Sequence, residues 1–254
     1  MKSHRTRTHI PPSTEGQPSL DELLGGGLPQ GNIVLVSGTV GSGKTIFGLQ
    51  YLVEGAKEKE NGLYISFNNT KKDLHKIAGE FGWDIKALQN RGQLRIRHIS
   101  IAKESSVEVR KEIFQLLKQY RPQRIVLDSL TMYFLMLELV EQMETLMGYN
   151  LDGLSAHVNK QLLLRLAITE LYEQIKLSGA TALILTERVE ECARTRMDTI
   201  AEFHSDGLII LAPKKTQKEF IKTIQILEMK YTRHNQNTHA LKMTGGGIQI
   251  GDKI

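Results

Sequence analysis

The sequence predicts an α/β fold in which a mostly parallel, twisted sheet is flanked by helices and followed by an antiparallel extension. Three observations predict this fold. Short apolar strands alternate with helical segments along the 254 residues, a glycine-rich loop joins the first strong strand to a helix, and the pattern changes to strand-like runs after Pro213. Strands that alternate with helices are typical of parallel sheets covered on both faces. The length suits a single domain of this kind.

The glycine-rich loop is the clearest chemical feature of the sequence. Gly38–Thr45 reads GTVGSGKT and matches the pattern G-x-x-x-x-G-K-[ST]. The preceding Asn32–Ser37 is an apolar, β-branched run typical of a buried strand, and the following Ile46–Leu52 is helical in pattern. Strand, loop and helix in this order are the context that the motif needs. The alternative, a glycine-rich turn without a ligand, therefore carries little weight.

Each residue type in this loop suits phosphate binding. The expected phosphate-binding residues are Gly38, Thr39, Val40, Gly41, Ser42, Gly43, Lys44 and Thr45. Glycines let backbone N–H groups approach phosphate oxygens, and the start of the helix adds a positive dipole end. Lys44 supplies a cation for the phosphates, and Thr45 supplies a hydroxyl ligand for Mg²⁺. The loop predicts a nucleotide bound with Mg²⁺.

The other elements of the first half follow from local signals. Residues 1–16 are polar and basic and contain two prolines, so a flexible arm is expected there, with the domain over residues 17–254. The next expected elements are a helical turn at Leu20–Leu24, strands at Gly62–Phe67 and Gln93–Ile99, and a helix from Val109 to Tyr120. Thr70 is expected to cap the helix between the two strands, and Gly82 to close it.

An acidic residue ends the next buried strand, Arg124–Ser129, which reads RIVLDS. A carboxylate at the carboxyl end of a parallel strand lies beside such a loop and holds Mg²⁺, usually through water. The alternative is that Asp128 caps the following helix. Because the phosphate-binding motif lies upstream, we favour the metal role and expect Thr45 and Asp128 to be the metal residues.

The second half contains more strands and one long helical insertion. Strands are expected at Thr181–Thr186 and Gly207–Leu211, and the antiparallel extension at Phe220–Tyr231 and Leu241–Ile250. The insertion that precedes them carries four of the eight methionines, namely Met132, Met136, Met143 and Met147. Methionines at helical spacing usually pack in a core. An adaptable surface for a protein partner on the Met132–Met147 helix is the alternative.

Composition narrows the classes of protein. The formal net charge is +5, but the basic residues are scattered and lack interleaved aromatic residues, so nucleic acid binding is not favoured. The single cysteine, Cys192, excludes an internal disulfide and fits a reducing compartment. The longest apolar run, Met132–Leu137, is too short to span a membrane, and no secretory pattern is visible. We expect a cytoplasmic protein.

Several blocks together resemble a known family. Leu20–Gly31, which reads LDELLGGGLPQG and leads into the loop, resembles the opening of KaiC-type domains of the RecA superfamily. The resemblance continues through Phe81–Asp84, Leu127–Leu130, Ser205–Leu211 and the residues Met229, Lys230, Thr232 and His234, and it covers the chain from about residue 17. It implies a RecA-type P-loop NTPase core, with ATP bound at the subunit interfaces of a homo-oligomer, usually a hexameric ring. It points to the single-domain KaiC-like proteins of archaea and bacteria.

Two departures from the family pattern concern hydrolysis. The family typically has Phe-Glu-Glu after the second strand, and this chain has Phe67, Asn68 and Asn69 there. An amide can orient water but cannot accept its proton, so the general base is missing and slow or lost hydrolysis is expected. Glu187, which ends the strand Thr181–Thr186, is an alternative base. Whether the chain is an enzyme stays open at this point.

The second departure concerns the residues that the family presents from a neighbouring subunit. Glu228-Met229-Lys230 replaces a Lys-x-Arg pair, and arginine is the better phosphate clamp. Lys230 and the nearby Arg233 are therefore the cations expected at a shared nucleotide site. The Ser-Thr pair that some family members phosphorylate in themselves has no counterpart here.

The leading hypothesis is an ATP-binding protein that forms nucleotide-dependent oligomers and acts as a switch or scaffold with weak or absent hydrolysis. One alternative is an active RecA-type ATPase in which Asn68, Asn69 or Glu187 arranges the attacking water. Another is a DNA-binding, recombinase-like relative. A platform for a motor or an assembly is supported by fold analogy alone.

Overall fold

The computed structural model describes residues 4–101, 105–146, 160–188, 196–215 and 220–254. The helices in these ranges are α1 (Leu20–Leu23), α2 (Lys44–Lys57), α3 (Lys71–Glu80), α4 (Ile85–Asn90), α5 (Ser106–Tyr120), α6 (Leu130–Leu146), α7 (Lys160–Ser178) and α8 (Arg196–His204). The strands are β1 (Arg5–Thr6), β2 (Leu28–Pro29), β3 (Ile33–Gly38), β4 (Gly62–Ser66), β5 (Leu94–His98), β6 (Arg124–Asp128), β7 (Thr181–Glu187), β8 (Gly207–Lys215), β9 (Phe220–Met229), β10 (His239–Thr244) and β11 (Gly247–Lys253).

The main sheet has the strand order β11-β10-β9-β8-β3-β7-β6-β4-β5. The strands from β8 through β5 in this order are parallel, and β9, β10 and β11 are added in antiparallel fashion. This order confirms the predicted mostly parallel sheet with an antiparallel extension. The parallel strands all end at one edge of the sheet, called here the carboxyl edge, and begin at the opposite amino edge.

The central strands have the near-continuous apolar sequences that burial on both faces requires. Every residue of β3 and of β6 is buried. Helices α2, α3 and α4 contribute to one buried cluster, in which Phe47 and Val126 lie, and α5 to α8 contribute to the cluster on the other face, with Ile168 and Ile184. The sheet is thus covered on both sides.

Helix caps agree with the sequence signals. The Thr70 hydroxyl accepts a hydrogen bond from the Asp73 N–H, and the Thr70 N–H donates to the Asp73 carboxylate, so α3 begins as expected. Gly82 has a φ of 70° just after the helix, a conformation that favours glycine. None of the helices in the described part of the chain is both long and apolar enough to cross a membrane.

The antiparallel extension differs in one respect from the prediction. The single strand predicted over Leu241–Ile250 is wrong, because the structure divides this run into β10 and β11. Thr244 pairs with Gly247 across a tight turn, and Gly247 has a φ of 121°. Residues with a side chain rarely adopt that φ, whereas glycine does. The glycine run Gly245–Gly247 therefore lets the chain reverse here instead of continuing the strand.

The first residues also differ from the flexible arm expected over residues 1–16. β1 pairs with β2, and the Thr6 hydroxyl lies 2.9 Å from the Thr181 hydroxyl. The Asp21 carboxylate accepts hydrogen bonds from the backbone N–H groups of Thr8 and His9 and from the Thr8 hydroxyl. The described part of this segment is therefore packed on the domain.

The same segment continues along the last strand of the sheet. Ile10 is completely buried, and its carbonyl accepts from the N–H of Leu20. The carbonyl of Pro11 accepts from the N–H of Ile250, and the N–H of Ser13 donates back to the Ile250 carbonyl over 2.6 Å. These bonds cover part of the edge of β11 that does not face β10. The polar composition of the segment did not predict this contact.

Candidate functional site

The loop Gly38–Thr45, called here the phosphate loop, lies at the carboxyl edge between β3 and α2. Gly41 and Gly43 have φ angles of 77° and 103°, and Gly43 is the N-terminal cap of α2. A Cβ on Gly38 would collide with the Leu211 carbonyl and lie 2.6 Å from the Ser42 Oγ. The backbone is thus packed closely at the base of the loop and open at Gly41, where an added Cβ meets nothing within 4 Å.

Lys44 is buried at the start of α2, with 9% of its surface exposed. Its Nζ donates to the carbonyls of Gly38 and Thr39 over 2.7 and 2.8 Å. Burial lowers the pKa of Lys44, while the carboxylates of Glu187 and Asp128 act in the opposite direction. A cation held against the loop and facing these two acids can transfer its hydrogen bonds to phosphate oxygens.

Asp128 lies next to the phosphate loop, as the motif predicts. The Thr45 hydroxyl donates to Asp128 Oδ2 over 2.9 Å, and the Tyr64 hydroxyl donates to the same oxygen over 2.7 Å. Burial and the nearby carboxylate raise the pKa of Tyr64 well above 10, so its phenol stays protonated and acts as a donor. Asp128 itself is 3% exposed.

The alternative role of Asp128 as a helix cap is not seen. Helix α6 begins at Leu130, and the Ser129 hydroxyl accepts from the backbone N–H of Met132 over 3.4 Å. Ser129 therefore occupies the capping position, which leaves the Asp128 carboxylate for the phosphate loop.

The donor set fits a nucleotide with Mg²⁺. Thr45 and Asp128 offer one hydroxyl and one carboxylate, which are hard oxygen ligands, and Mg²⁺ in such sites takes its remaining ligands from water and substrate phosphates. In the described ranges, no cluster of three or more histidine, cysteine or acidic side chains provides a metal cage made of protein ligands alone. The Ser42 hydroxyl is buried without a hydrogen-bond partner, so a phosphate oxygen would satisfy it.

The two asparagines at the position of the expected general base lie at the same edge. Ser66, at the end of β4, pairs with Asp128, so Asn68 and Asn69 follow just beyond the acid. Asn68 is exposed. The turn is held through the backbone of Asn69, whose N–H donates to the Ser66 hydroxyl over 3.0 Å and whose carbonyl accepts from it over 2.8 Å.

Glu187 is brought to the phosphate loop from the other side. It pairs with Gly38 at the ends of β7 and β3, and its backbone N–H donates to the Thr131 hydroxyl over 2.9 Å. Its charge is close enough to act on Lys44. The structure thus places an ionisable carboxylate where the sequence offered an alternative base.

Lys230 and Arg233 do not meet the phosphate loop of their own chain. Met229, next to Lys230, pairs with Gly207, which pairs with Val34, four residues before Gly38 along β3. At 3.3 Å per residue, this is about 13 Å along the strand toward the amino edge. The Lys230 Nζ donates to the Ser205 carbonyl over 2.7 Å, and Arg233 is exposed. Contact with a nucleotide would therefore require a second copy of the chain.

The methionine-rich helix can be followed in part. Met136 is buried and Met132 is half-buried, which agrees with the core interpretation for these two residues. The side chain of Met143 and the whole of Met147 lie outside the described residues.

Sequence reasoning missed Tyr64. Its partner could not be inferred locally, but a tyrosine inside a fully buried strand is a usable signal because its hydroxyl requires a partner.

Comparisons with known proteins identify relatives of this chain. The family model described as the KaiC ATPase matches residues 14–147 and 144–253. The circadian clock oscillator protein KaiC of Parathermosynechococcus lividus is 31% identical over 251 residues, which cover 95% of this chain and 42% of the relative. The protein of the same name from Synechococcus elongatus is 31% identical over 239 residues, covering 91% of this chain and 42% of the relative. The chain thus spans well under half the length of these relatives.

A solved structure has the same fold. A KaiC-like protein from the hyperthermophilic archaeon Pyrococcus horikoshii superposes with a TM-score of 0.76, covering 98% of this chain and 99% of that one. The two sequences are 24% identical, so this similarity concerns the fold.

Proposed function

Because the chain belongs to the KaiC family of ATPases, we propose that it binds ATP with Mg²⁺ at the phosphate loop and assembles into a homo-oligomer, a hexameric ring. In this proposal, the ring acts as a nucleotide-dependent switch or scaffold with weak or absent hydrolysis. The observation that carries the binding step is the convergence of Lys44, Thr45 and Asp128 at the carboxyl edge. The chain supplies a cation, a hydroxyl and a carboxylate to one place.

The residues hold and orient MgATP in distinct ways. Lys44 and the N-terminus of α2 offer positive charge and N–H donors to the phosphates. Thr45 and Asp128 would hold Mg²⁺, which would neutralise part of the phosphate charge. Asn68 can orient a water by hydrogen bonding, but it cannot take its proton. Positioning without a general base supports slow turnover.

Assembly is supported by the separation of two groups of expected nucleotide-binding residues, the phosphate loop on one side and Lys230 with Arg233 on the other. Lys230 and Arg233 lie toward the amino edge, away from the phosphate loop of the same chain. A neighbouring copy would have to bring them to the nucleotide. ATP shared in this way stabilises the oligomer, because a ligand that binds only the assembled form shifts the equilibrium toward it.

Light scattering after size-exclusion chromatography tests the proposal. The wild type and Lys44→Ala are compared with and without MgATP, and Lys57→Ala serves as the matched control because Lys57 is exposed on the same helix and pairs with Glu54. We expect ATP to increase the mass of the wild type and Lys57→Ala, and not that of Lys44→Ala. An unchanged monomer in every sample contradicts the proposal.

Glu187 favours a second candidate, an active ATPase. Its carboxylate lies near Lys44 and can accept a proton, which Asn68 and Asn69 cannot. ATP affinity and phosphate release, measured on the same preparation, separate the two candidates. Tight binding with very slow release supports the switch, whereas rapid release that is lost in Glu187→Gln supports the ATPase.

A further inference from the structure

Tyr64 lies in the middle of β4 and is completely buried. Its hydroxyl donates to Asp128 Oδ2 over 2.7 Å, and the Thr45 hydroxyl donates to the same oxygen. Tyr64 itself pairs with Val126 in the neighbouring strand, two residues before the acid, so its side chain reaches along the sheet to the carboxylate. Three elements, β4, β6 and α2, are thus joined at one oxygen atom.

The hydroxyl of Tyr64 is not needed to fill the core. Its ring belongs to the same buried cluster as Phe47 and Val126, and phenylalanine would bury an equivalent ring. A buried hydroxyl destabilises the fold unless it is hydrogen-bonded, and the Tyr64 hydroxyl meets this requirement at Asp128.

Two of the other buried tyrosines have hydrogen-bond partners that are not carboxylates. The Tyr51 hydroxyl donates to the Thr181 carbonyl over 3.1 Å, and that of Tyr172 lies 3.3 Å from the Ser205 hydroxyl. Tyr133 has no described hydrogen-bond partner for its hydroxyl. Among these buried tyrosines of the described ranges, Tyr64 is the one that is bonded to a carboxylate.

Two donors on one oxygen restrict the rotation of the Asp128 side chain. A carboxylate with free rotation can present either oxygen to a metal, and it loses orientational entropy when it binds. Tyr64 and Thr45 both engage Oδ2 and neither engages Oδ1. Groups of this kind orient metal ligands from the outer shell, and removing them typically weakens metal binding by about 10- to 100-fold.

We propose that Tyr64 is a positioning residue that fixes the Asp128 carboxylate for the Mg²⁺ of bound ATP. The inference rests on the proposed function, because it concerns the metal that accompanies the nucleotide. Tyr64 touches neither phosphate nor metal in this role. It acts through Asp128, so its effect appears in the dependence of nucleotide binding on Mg²⁺.

The test measures the binding of a fluorescent ATP analogue to the wild type and to Tyr64→Phe at increasing Mg²⁺ concentrations. We expect the half-saturating Mg²⁺ concentration to rise about tenfold, while analogue binding measured in EDTA stays at the wild-type value. The matched control is Tyr51→Phe, which removes another fully buried tyrosine hydroxyl from a hydrogen bond. Thermal unfolding of both variants is measured as well. Equal melting temperatures separate a change in Mg²⁺ dependence from a change in folding.

A double-mutant cycle with Asp128→Asn identifies the route of the effect. If Tyr64 acts through Asp128, Tyr64→Phe adds no further shift in the Asp128→Asn background. An equal shift in both backgrounds, or a Tyr64→Phe titration that coincides with the wild type, overturns the role of Tyr64. Failure of the wild type to bind the analogue in either condition is a different result, which overturns the proposed function and this inference with it.

Discussion

The side chain of Gln50 forms a closed pair of hydrogen bonds with the backbone of Ile248. Its Nε2 donates to the Ile248 carbonyl over 3.1 Å, and its Oε1 accepts from the Ile248 N–H over 2.7 Å. Gln50 belongs to α2, whose N-terminus carries the phosphate loop, and Ile248 belongs to β11. One buried amide therefore joins the phosphate-binding helix to the last strand of the sheet.

Replacing Gln50 by leucine should destabilise the protein by about 3 kcal/mol, because two buried backbone groups lose their partner at about 1–3 kcal/mol each. Urea unfolding measures the loss. Gln225→Leu is the control, because the Gln225 amide makes an exposed bond to the Gln236 carbonyl. We expect that control to lie within about 0.5 kcal/mol of the wild type. Equal losses in the two variants would show that the pair with Ile248 contributes little.

Two helical glycines should respond oppositely to alanine. A Cβ at Gly55 would collide with the buried side chain of Arg124, which is held by Glu60 and by the Tyr51 carbonyl, so Gly55→Ala should cost about 1–3 kcal/mol. Gly79 is exposed in α3 with nothing within 4 Å of an added Cβ, and Gly79→Ala should stabilise by about 0.5–1 kcal/mol. Thermal unfolding of the two variants checks both signs, and stabilisation by Gly55→Ala would contradict the packing assigned to Arg124.

The free energy of unfolding should depend on pH through Lys44. Burial lowers its pKa in the folded chain below the ordinary value of 10.5. Between these two pKa values the unfolded chain binds more protons, so this group makes stability rise with pH. Lys44→Met lacks the group, so the stability of the variant relative to the wild type should decrease as the pH rises from about 7 to about 10. Urea titrations at a series of pH values measure this difference, and an increase in the stability of the variant relative to the wild type over this range would contradict the sign.

A carboxylate introduced just beyond β4 should raise the rate of ATP hydrolysis. Asn68→Glu and Asn69→Glu each place a proton acceptor just past Asp128 at the carboxyl edge, and a positioned general base is worth about 10²-fold or more. Phosphate release at saturating ATP is the measurement. Asn90→Glu, at the exposed end of α4, controls for added charge. Rates that match the wild type in all three variants would show that a carboxylate at this position does not act as a general base.

Local signals predicted the elements, and tertiary pairing supplied what the sequence left open. A few adjacent residues specify each of three features: the phosphate loop, the cap at Thr70 and the acid at the end of β6. The bond between Tyr64 and Asp128 depends on the register of β4 against β6, which no local pattern specifies. Polar composition predicted a flexible first segment, although Ile10 and the bonds to Asp21 pack its described part on the domain. The glycines before Ile248 were a legible turn signal within the predicted strand.

The position of Lys230 restricts the symmetry of any assembly that shares a nucleotide. The phosphate loop lies at the carboxyl edge, and Lys230 lies toward the amino edge of the same sheet. If Lys230 of one copy serves the loop of the next, a two-fold dimer serves both loops only where the loop and Lys230 lie within one self-complementary patch. Where they lie on different patches, the contact is heterologous, and it fills every loop only in a closed ring. Without closure, the same contact propagates as a filament.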